Sequence, residues 1–326
     1  MTEIYTRAEP KGIEQAKEYL KALKFKEAMA YVQSLGIPKA EAEAHLEQWD
    51  HQKWTGLEFM IIKLSGGVLS DTLLEQIATL NKLGTYPMVV HGGGKQIDDL
   101  LAEKRIPTKK VKGQRVTDEE TLKLVIKALK GVNYQIAEGI EKYGGNAVSI
   151  ESYAHMCALY AKQLSKELKF VGEPIGLNSP VLVGTVKDGA SPIIWSIGYG
   201  TANCEVPAHG LLMHPYNVNA DYVPNALIKY IGSSKFAKLI CITPPGGILD
   251  KDGQIISHIK ASEIVQLIEN GTITDGAVPK LLQAKELLQD KSLALDHRFK
   301  VQIVSPDKLL HEVLTHKGAG TEIVKA

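Results

Sequence analysis

The sequence predicts an α/β fold: an open, mainly parallel sheet sandwiched by helices, preceded by an N-terminal helical arm. Three observations lead there. From residue 58 onward short apolar runs alternate with amphipathic helical stretches, the grammar of a sheet built from βα units. Glycine-rich turns join the first two runs to the helices that follow them. The 326 residues, 44% hydrophobic and 23% charged, have the make-up of an ordinary globular chain of about two domains.

Taken in order, residues 10–52 read as two or three short helices. Ile13, Ala16, Leu20 and Leu23 recur at three- and four-residue spacing, Gly36 and Pro38 break the run, and AEAEAHLEQW resumes it. The apolar stripe needs a partner, either the chain's own body or another subunit. Phe59 to Ile62 then reads as a strand, followed by LSGG, a helix near 71–83, the strand Pro87 to Val90 and HGGG. Further strand-like runs fall at 181–183, 192–197, 237–242 and 300–304, with helical stretches at 120–141, 221–231, 261–269 and 279–289. Glycines, Pro207 and Pro215 make 198–216 a loop or hairpin. The expected organisation is an arm at 1–55, a first lobe at 56–231 and a second at 232–326.

Composition excludes several classes. Lys and Arg number 38 against 37 Asp and Glu, a net charge of +1, so the broad basic field that binds a phosphate backbone is lacking and no nucleic-acid partner is expected. Cys157, Cys204 and Cys241 lie too far apart in sequence for a CxxC pair or a disulfide framework. MTEIYTRAEP is unlike a signal peptide, and no run approaches the roughly 20 apolar residues of a membrane span. A cytoplasmic chain without a membrane partner is expected. No resident metal is expected either. His311 and His316 are five apart, which on a helix turns the imidazoles roughly 140° from one another, and His209 and His214 repeat that spacing in a loop.

Two turns, Lys63-Leu64-Ser65-Gly66-Gly67 and His91-Gly92-Gly93-Gly94-Lys95, sit between a strand and a helix. Glycines there let backbone amides approach an anion at a helix N-terminus. Either turn alone reads equally well as a tight connection, but two at the C-terminal ends of parallel strands mark the edge where open α/β sheets bind ligands. Known phosphate signatures fail: Gln96 follows Gly94-Lys95 and position 89 is Val, against GxxxxGK[ST], and Ile97 replaces the last glycine of GxGxxG.

IIKLSGG at 61–67, HGGG at 91–94, GQRVTDEET at 113–121, NVNAD at 217–221 and ITDGAVPK at 273–280 occur in this order. The set resembles the amino acid kinase family and, within it, the acetylglutamate kinases. The ending THKGAGTEIVKA resembles the close of the kinase-type domain of bifunctional acetylglutamate synthase/kinase proteins. The resemblance implies ATP with Mg2+ and N-acetyl-L-glutamate as substrates, with residues 56–231 as acceptor lobe and 232–326 as nucleotide lobe. A homo-oligomer is expected.

A carboxylate acceptor is already ionised at neutral pH and needs no general base. Positioning and charge neutralisation carry such a transfer. Lys63, beside the first glycine turn, and Lys280, in ITDGAVPK, are the candidate cations flanking the phosphoryl group. The resemblance implies that Asp221 orients both; by itself Asp221 reads as a charge at a helix start. Arg115 reads as a clamp, since a guanidinium grips a carboxylate through two hydrogen bonds. The resemblance adds Asn217, Asn219 and the Gly93 and Gly94 amides around the acceptor. It also assigns Gly66, Gly67, Thr243, Gly246 and Gly276 to the nucleotide. His91 anchors its turn rather than transferring protons.

Two features cut against a plain reading. Ile242-Thr243-Pro244-Pro245-Gly246-Gly247 lacks the acidic residue common at that strand end in acetylglutamate kinases, as does the fused subfamily. Lys317, Gly318, Gly320 and Thr321 form a C-terminal turn like the one that, with an N-terminal helical arm, makes the L-arginine site of arginine-inhibited relatives; chain termination explains the same residues. Three classes follow: an acetylglutamate kinase, a non-catalytic arginine-sensing domain that partners an acetylglutamate synthase, or another kinase of the family acting on aspartate, carbamate or aminoadipate. The retained lysines favour the first over the second, and GQRVT favours it over the third.

Overall fold

A computed structural model describes residues 11–47, 59–111, 114–150, 158–200, 213–273, 277–295 and 297–325. The arm is one long helix, α1 (Lys11–Ser34), and a short one, α2 (Lys39–Glu47), rather than two or three short pieces. Gly36, at φ +82°, and Pro38 separate them as expected. The end of α1 buries Ala28, Met29 and Val32 against the body, while Tyr19, Leu20 and Leu23 stay exposed.

The body starts with β1 (Phe59–Leu64), α3 (Asp71–Lys82), β2 (Met88–His91), α4 (Gly94–Glu103), the short hairpin β3 (Lys110–Val111) and β4 (Gln114–Arg115), then α5 (Glu119–Lys142). Caps set these helices. The Ser70 hydroxyl accepts from the Leu73 amide at the start of α3, and the Asp118 carboxylate from the Thr121 amide at the start of α5. These bonds hold the Asp118 carboxyl below its ordinary pKa. Next come β5 (Ala147–Ile150), β6 (Leu159–Gln163), β7 (Val171–Leu177), α6 (Ser179–Lys187), β8 (Ser191–Trp195), β9 (Ile197–Gly200), β10 (His214–Val218) and α7 (Val223–Ile231). The remainder is β11 (Phe236–Ile242), β12 (His258–Lys260), α8 (Ile264–Glu269), α9 (Val278–Gln289), β13 (Lys300–Val304), α10 (Leu309–Leu314) and β14 (Thr321–Val324).

Eight strands form the main sheet in the order β12-β14-β13-β11-β1-β2-β8-β5, parallel except between β13 and β14. Strands from before residue 232 make one half and strands from after it the other, meeting where β1 pairs β11. Strand period sorts side chains to two faces. Phe59 and Ile61 face α6, α7, α8 and α9, whereas Met60, Ile62 and Leu64 face α1, α2, α3 and α10. A small closed barrel, β10-β7-β6-β9, accompanies the sheet, and its β9–β10 pairing is the hairpin expected within 198–216.

One predicted strand is wrong. Residues 181–183 lie in α6, where Leu182 and Val186 bury one helical face and Pro180 occupies the first turn. Helices predicted from 221 and 261 begin later, at Val223 and Ile264. His316 lies beyond the end of α10, so it shares no helix with His311; its ring packs on His45 of α2, centroids 4.5 Å apart. Of the loop histidines, His209 lies outside the described residues and His214 is on β10. Among the described residues no helix is long and apolar enough to cross a membrane.

Candidate active site

The C-terminal ends of β1, β2, β11 and β13 line up, with Leu64 paired to both His91 and Ile242, and Ile242 to Val304. Strand period then puts Lys63 on the face covered by α7 and α9. Its ammonium pairs with the Asp221 carboxylate and reaches Ser65 Oγ at 3.4 Å. Helix α9 delivers Lys280 to the same cavity, which Lys63, Ser65, Asp221, Cys241 and Gln283 also line. Burial first, and the Lys63 charge second, hold the Lys280 ammonium below its ordinary pKa. Two cations thus line one cavity with one carboxylate, paired to Lys63 and within electrostatic reach of Lys280, a setting that can hold an anion.

Asp221 sits in the turn after β10, two residues before α7 begins, so it does not open a helix. Its N–H donates to Asn219 Oδ1 at 3.0 Å, and its carbonyl accepts from Gln283 Nε2 at 2.6 Å. Cys241, paired with Lys63 across β1 and β11, is partly buried against the core, and burial pushes its thiol up to about 11. It stays protonated and forms a neutral wall.

Gly93 caps α4 and Gly94 is its first residue. A Cβ at Gly92 would meet Ala220 Cβ at 3.2 Å, so the second glycine turn lies against the turn carrying Asn219 and Asp221. Beneath it, His91 Nδ1–H donates to the Gly92 carbonyl at 3.0 Å, and Nε2 accepts from Asn133 Nδ2 at 3.0 Å. Asn133 also donates to the Ile193 carbonyl and accepts from the Ser149 hydroxyl. Burial pushes the His91 imidazole down to about 4, so it is neutral at pH 7 and holds its turn without charge.

Arg115, on β4, is gripped by Asp98 of α4 at 2.6 Å and donates to Thr108 Oγ1. The Thr117 hydroxyl donates to the Arg115 carbonyl at 2.9 Å and accepts from Asn217 Nδ2 at 3.1 Å. Arg115 and Asn217, 102 positions apart in sequence, are therefore joined through one buried hydroxyl.

The first glycine turn is tied to β11 by the Ser65 amide, which donates to the Ile242 carbonyl. Gly66 and Gly67 follow, Gly67 at φ +79°. Thr243 comes next to Ile242; its amide donates to Val304, its carbonyl accepts from Gly246, and its buried hydroxyl has no partner among the described residues. Gly276 lies outside the described residues. At the C-terminus, Lys317 to Gly320 form a turn with Gly318 at φ +64°, and the buried Glu312 carboxylate accepts from the Ala319 and Gly320 amides. Thr321 Oγ1 is committed to the Ile248 amide. Helix α2 touches this turn through Glu41, which accepts from the His316 amide.

Asp98, Thr117, Asn133 and Gln283 were not singled out from sequence. Gln283 carried a signal, since it stands three residues after Lys280 and so on the same helical face. Thr117 belongs to the GQRVTDEET motif. Asp98 and Asn133 carry no local signal, because their partners are set by tertiary packing. Among the described residues no three His, Cys, Asp or Glu side chains are placed to hold a metal ion.

Residues 58–295 match the amino acid kinase family. The acetylglutamate kinase of Oleidesulfovibrio alaskensis is 34% identical over 290 residues, covering 82% of this chain and 92% of the relative. A crystal structure of smu.665 from Streptococcus mutans superposes with a TM-score of 0.64 at 27% identity, covering 82% and 99% of the two chains. N-acetylglutamate synthase from Neisseria gonorrhoeae, complexed with coenzyme A and L-arginine, gives 0.68 at 19% identity over 88% of this chain and 64% of that one, a likeness of fold.

Proposed function

The chain belongs to the amino acid kinase family, and from that premise we propose that it transfers the γ-phosphoryl group of ATP, brought in with Mg2+, to the side-chain carboxylate of N-acetyl-L-glutamate. The observation that carries this reading is the one cavity lined by Lys63, Lys280 and Asp221, in which Lys63 is paired with the Asp221 carboxylate. A carboxylate oxygen forms the new bond to γ-phosphorus, the bond from γ-phosphorus to the β–γ bridging oxygen breaks, and ADP leaves with that electron pair. No proton moves. Charge on the migrating group is met by the two ammonium groups, and Asp221 limits their mutual repulsion.

Arg115 grips the acceptor, exchanging or sharing its Asp98 contact, with Asn217, Asn219 and the Gly93 and Gly94 amides around the same molecule. This reading assigns Gly66, Gly67, Thr243, Gly246 and Gly276 to the nucleotide, and the Thr243 hydroxyl, which has no hydrogen-bond partner among the described residues, is a donor and acceptor for it. Mg2+ comes coordinated by the nucleotide phosphates. The division into an acceptor lobe at 56–231 and a nucleotide lobe at 232–326 is part of this reading and is supported by the strand order. The arm at 1–55 completes it, and the exposed Tyr19, Leu20 and Leu23 stripe supports a homo-oligomer.

The same reading includes inhibition by L-arginine at Lys317, Gly318, Gly320 and Thr321. It is supported by the buried Glu312 carboxylate under that turn and by the contact with α2.

Purified protein with ATP, Mg2+ and N-acetylglutamate, trapped with hydroxylamine, is expected to yield the hydroxamate, and Lys280→Ala to lose it. Equal background in both, with a thermal shift in millimolar arginine, selects the sensing domain instead. Activity without any arginine shift removes the inhibition from the proposal.

A further inference from the structure

Gln283 touches the catalytic turn without belonging to it. It sits on α9, in the half of the sheet formed after residue 232, and donates its side-chain amide to the Asp221 carbonyl in the other half at 2.6 Å. On the far side of the same residue, the Asp221 N–H is held by Asn219 Oδ1. The main chain of Asp221 is thus pinned from both directions, once by its own turn and once by the helix that carries Lys280. Because Lys280 and Gln283 are three residues apart, the bond at 283 fixes where the stem of Lys280 starts. We propose that Gln283 is a positioning residue that couples the placement of Lys280 on α9 to that of Asp221, so that the Lys280 ammonium reaches the phosphoryl group with the Asp221 carboxylate held beside it.

The proposal rests on the phosphotransferase reading of the site, since Gln283 acts through Lys280 and Asp221. A neutral donor is what this place needs. A carboxylate at 283 would face the Asp221 carbonyl with no proton to give and would add negative charge beside Asp221. Methionine has similar length and volume but no donor, so it removes the bond while keeping the packing of α9.

The test uses full-length protein with Gln283→Met and Gln283→Glu, followed by hydroxamate kinetics and by NMR titration of the Lys280 amine after 13C reductive methylation. Loss of positioning predicts that kcat falls about 10-fold in Gln283→Met and further in Gln283→Glu, with KM for N-acetylglutamate unchanged within about 2-fold. It also predicts that Lys280 titrates at higher pH in Gln283→Met, because its amine moves away from Lys63 and toward solvent. A Gln283→Met protein with wild-type kcat and an unmoved Lys280 titration overturns the proposal. So does a fall in melting temperature with kcat per folded molecule unchanged, which marks a purely structural contact. If the wild type forms no acyl phosphate, the kinase reading fails, and the Lys280 titration alone decides whether Gln283 sets that lysine's place.

Discussion

At Gly66 an added methyl group would meet nothing within 4 Å, whereas at Gly93 it would lie 2.9 Å from Leu129 Cδ2. The two turns stand side by side at one edge of one sheet and look alike in sequence. The second is packed from below: His91, Asn133 and Ser149 satisfy one another beneath it, Leu129 closes one side and Ala220 the other. The first is anchored by the Ser65 amide and is otherwise open. Glycine therefore serves packing in one turn and leaves room or backbone freedom in the other. In the proposed mechanism this separates a preformed acceptor side from a nucleotide side that the ligand completes.

The sharpest way to break that contrast is through the buried network. His91 is neutral in the fold with its pKa pushed down to about 4, while unfolded histidine titrates near 6.5. The unfolded chain therefore takes up a proton that the folded chain refuses. Stability from this group is fully present above about pH 6.5 and is lost as pH falls toward 4, by on the order of 3 kcal/mol. Burial lowers His45 and His311 in the same direction. Urea unfolding of wild type and His91→Gln at pH 7.5 and pH 5 is expected to show a flatter pH response in the variant. Equal slopes would mean that the second turn does not rest on an uncharged imidazole.

Gly93→Ala comes next. The new methyl must displace Leu129, which is buried under α4, or shift the cap of the helix, at a cost of about 2 kcal/mol. Melting temperature falls, and so does kcat, because the Gly94 amide moves with the cap. A variant as stable and active as wild type would show the second turn to be as open as the first. Gly67→Ala should cost less, about 1 kcal/mol, since its surroundings are empty and only the left-handed φ of +79° resists a side chain.

How much of this was legible in advance follows the same division. The two lysines stand out only through the motifs that resemble the amino acid kinase family, whereas the glycine turns and the strands before them follow from local pattern, because periodicity and spacing are written within a few residues. The role of each glycine is not, since Leu129 and Ala220 are remote in sequence. Residues 181–183 misled for a related reason. The short apolar run Val181-Leu182-Val183 reads as a strand, and the burial of Leu182 and Val186 on one face goes with the helix found there. Asp98 paired with Arg115 and Gln283 against Asp221 belong to the same class, with partners 17 and 62 positions away. The resemblance supplied Asp221, Asn217 and Asn219; what was missed was the supporting side chains, Asp98, Thr117, Asn133 and Gln283, whose partners only the fold brings near.

The smallest change in stability makes the most telling comparison. Gly66 has no left-handed φ and no neighbour within 4 Å, so alanine fits the fold, and thermal melting should move by less than about 0.5 kcal/mol equivalent. If glycine is present there only because a tight turn tolerates it, kinetics will not change either. If the open space is where the nucleotide phosphates approach the backbone, the methyl occupies it, and KM for ATP rises several-fold while KM for N-acetylglutamate stays constant. Gly93→Ala, by contrast, damages stability and turnover together. Steady-state kinetics of the two alanine variants side by side therefore tell a glycine kept for a ligand from one kept for a leucine, and an unchanged ATP KM in Gly66→Ala would return the first turn to an ordinary connection between β1 and α3.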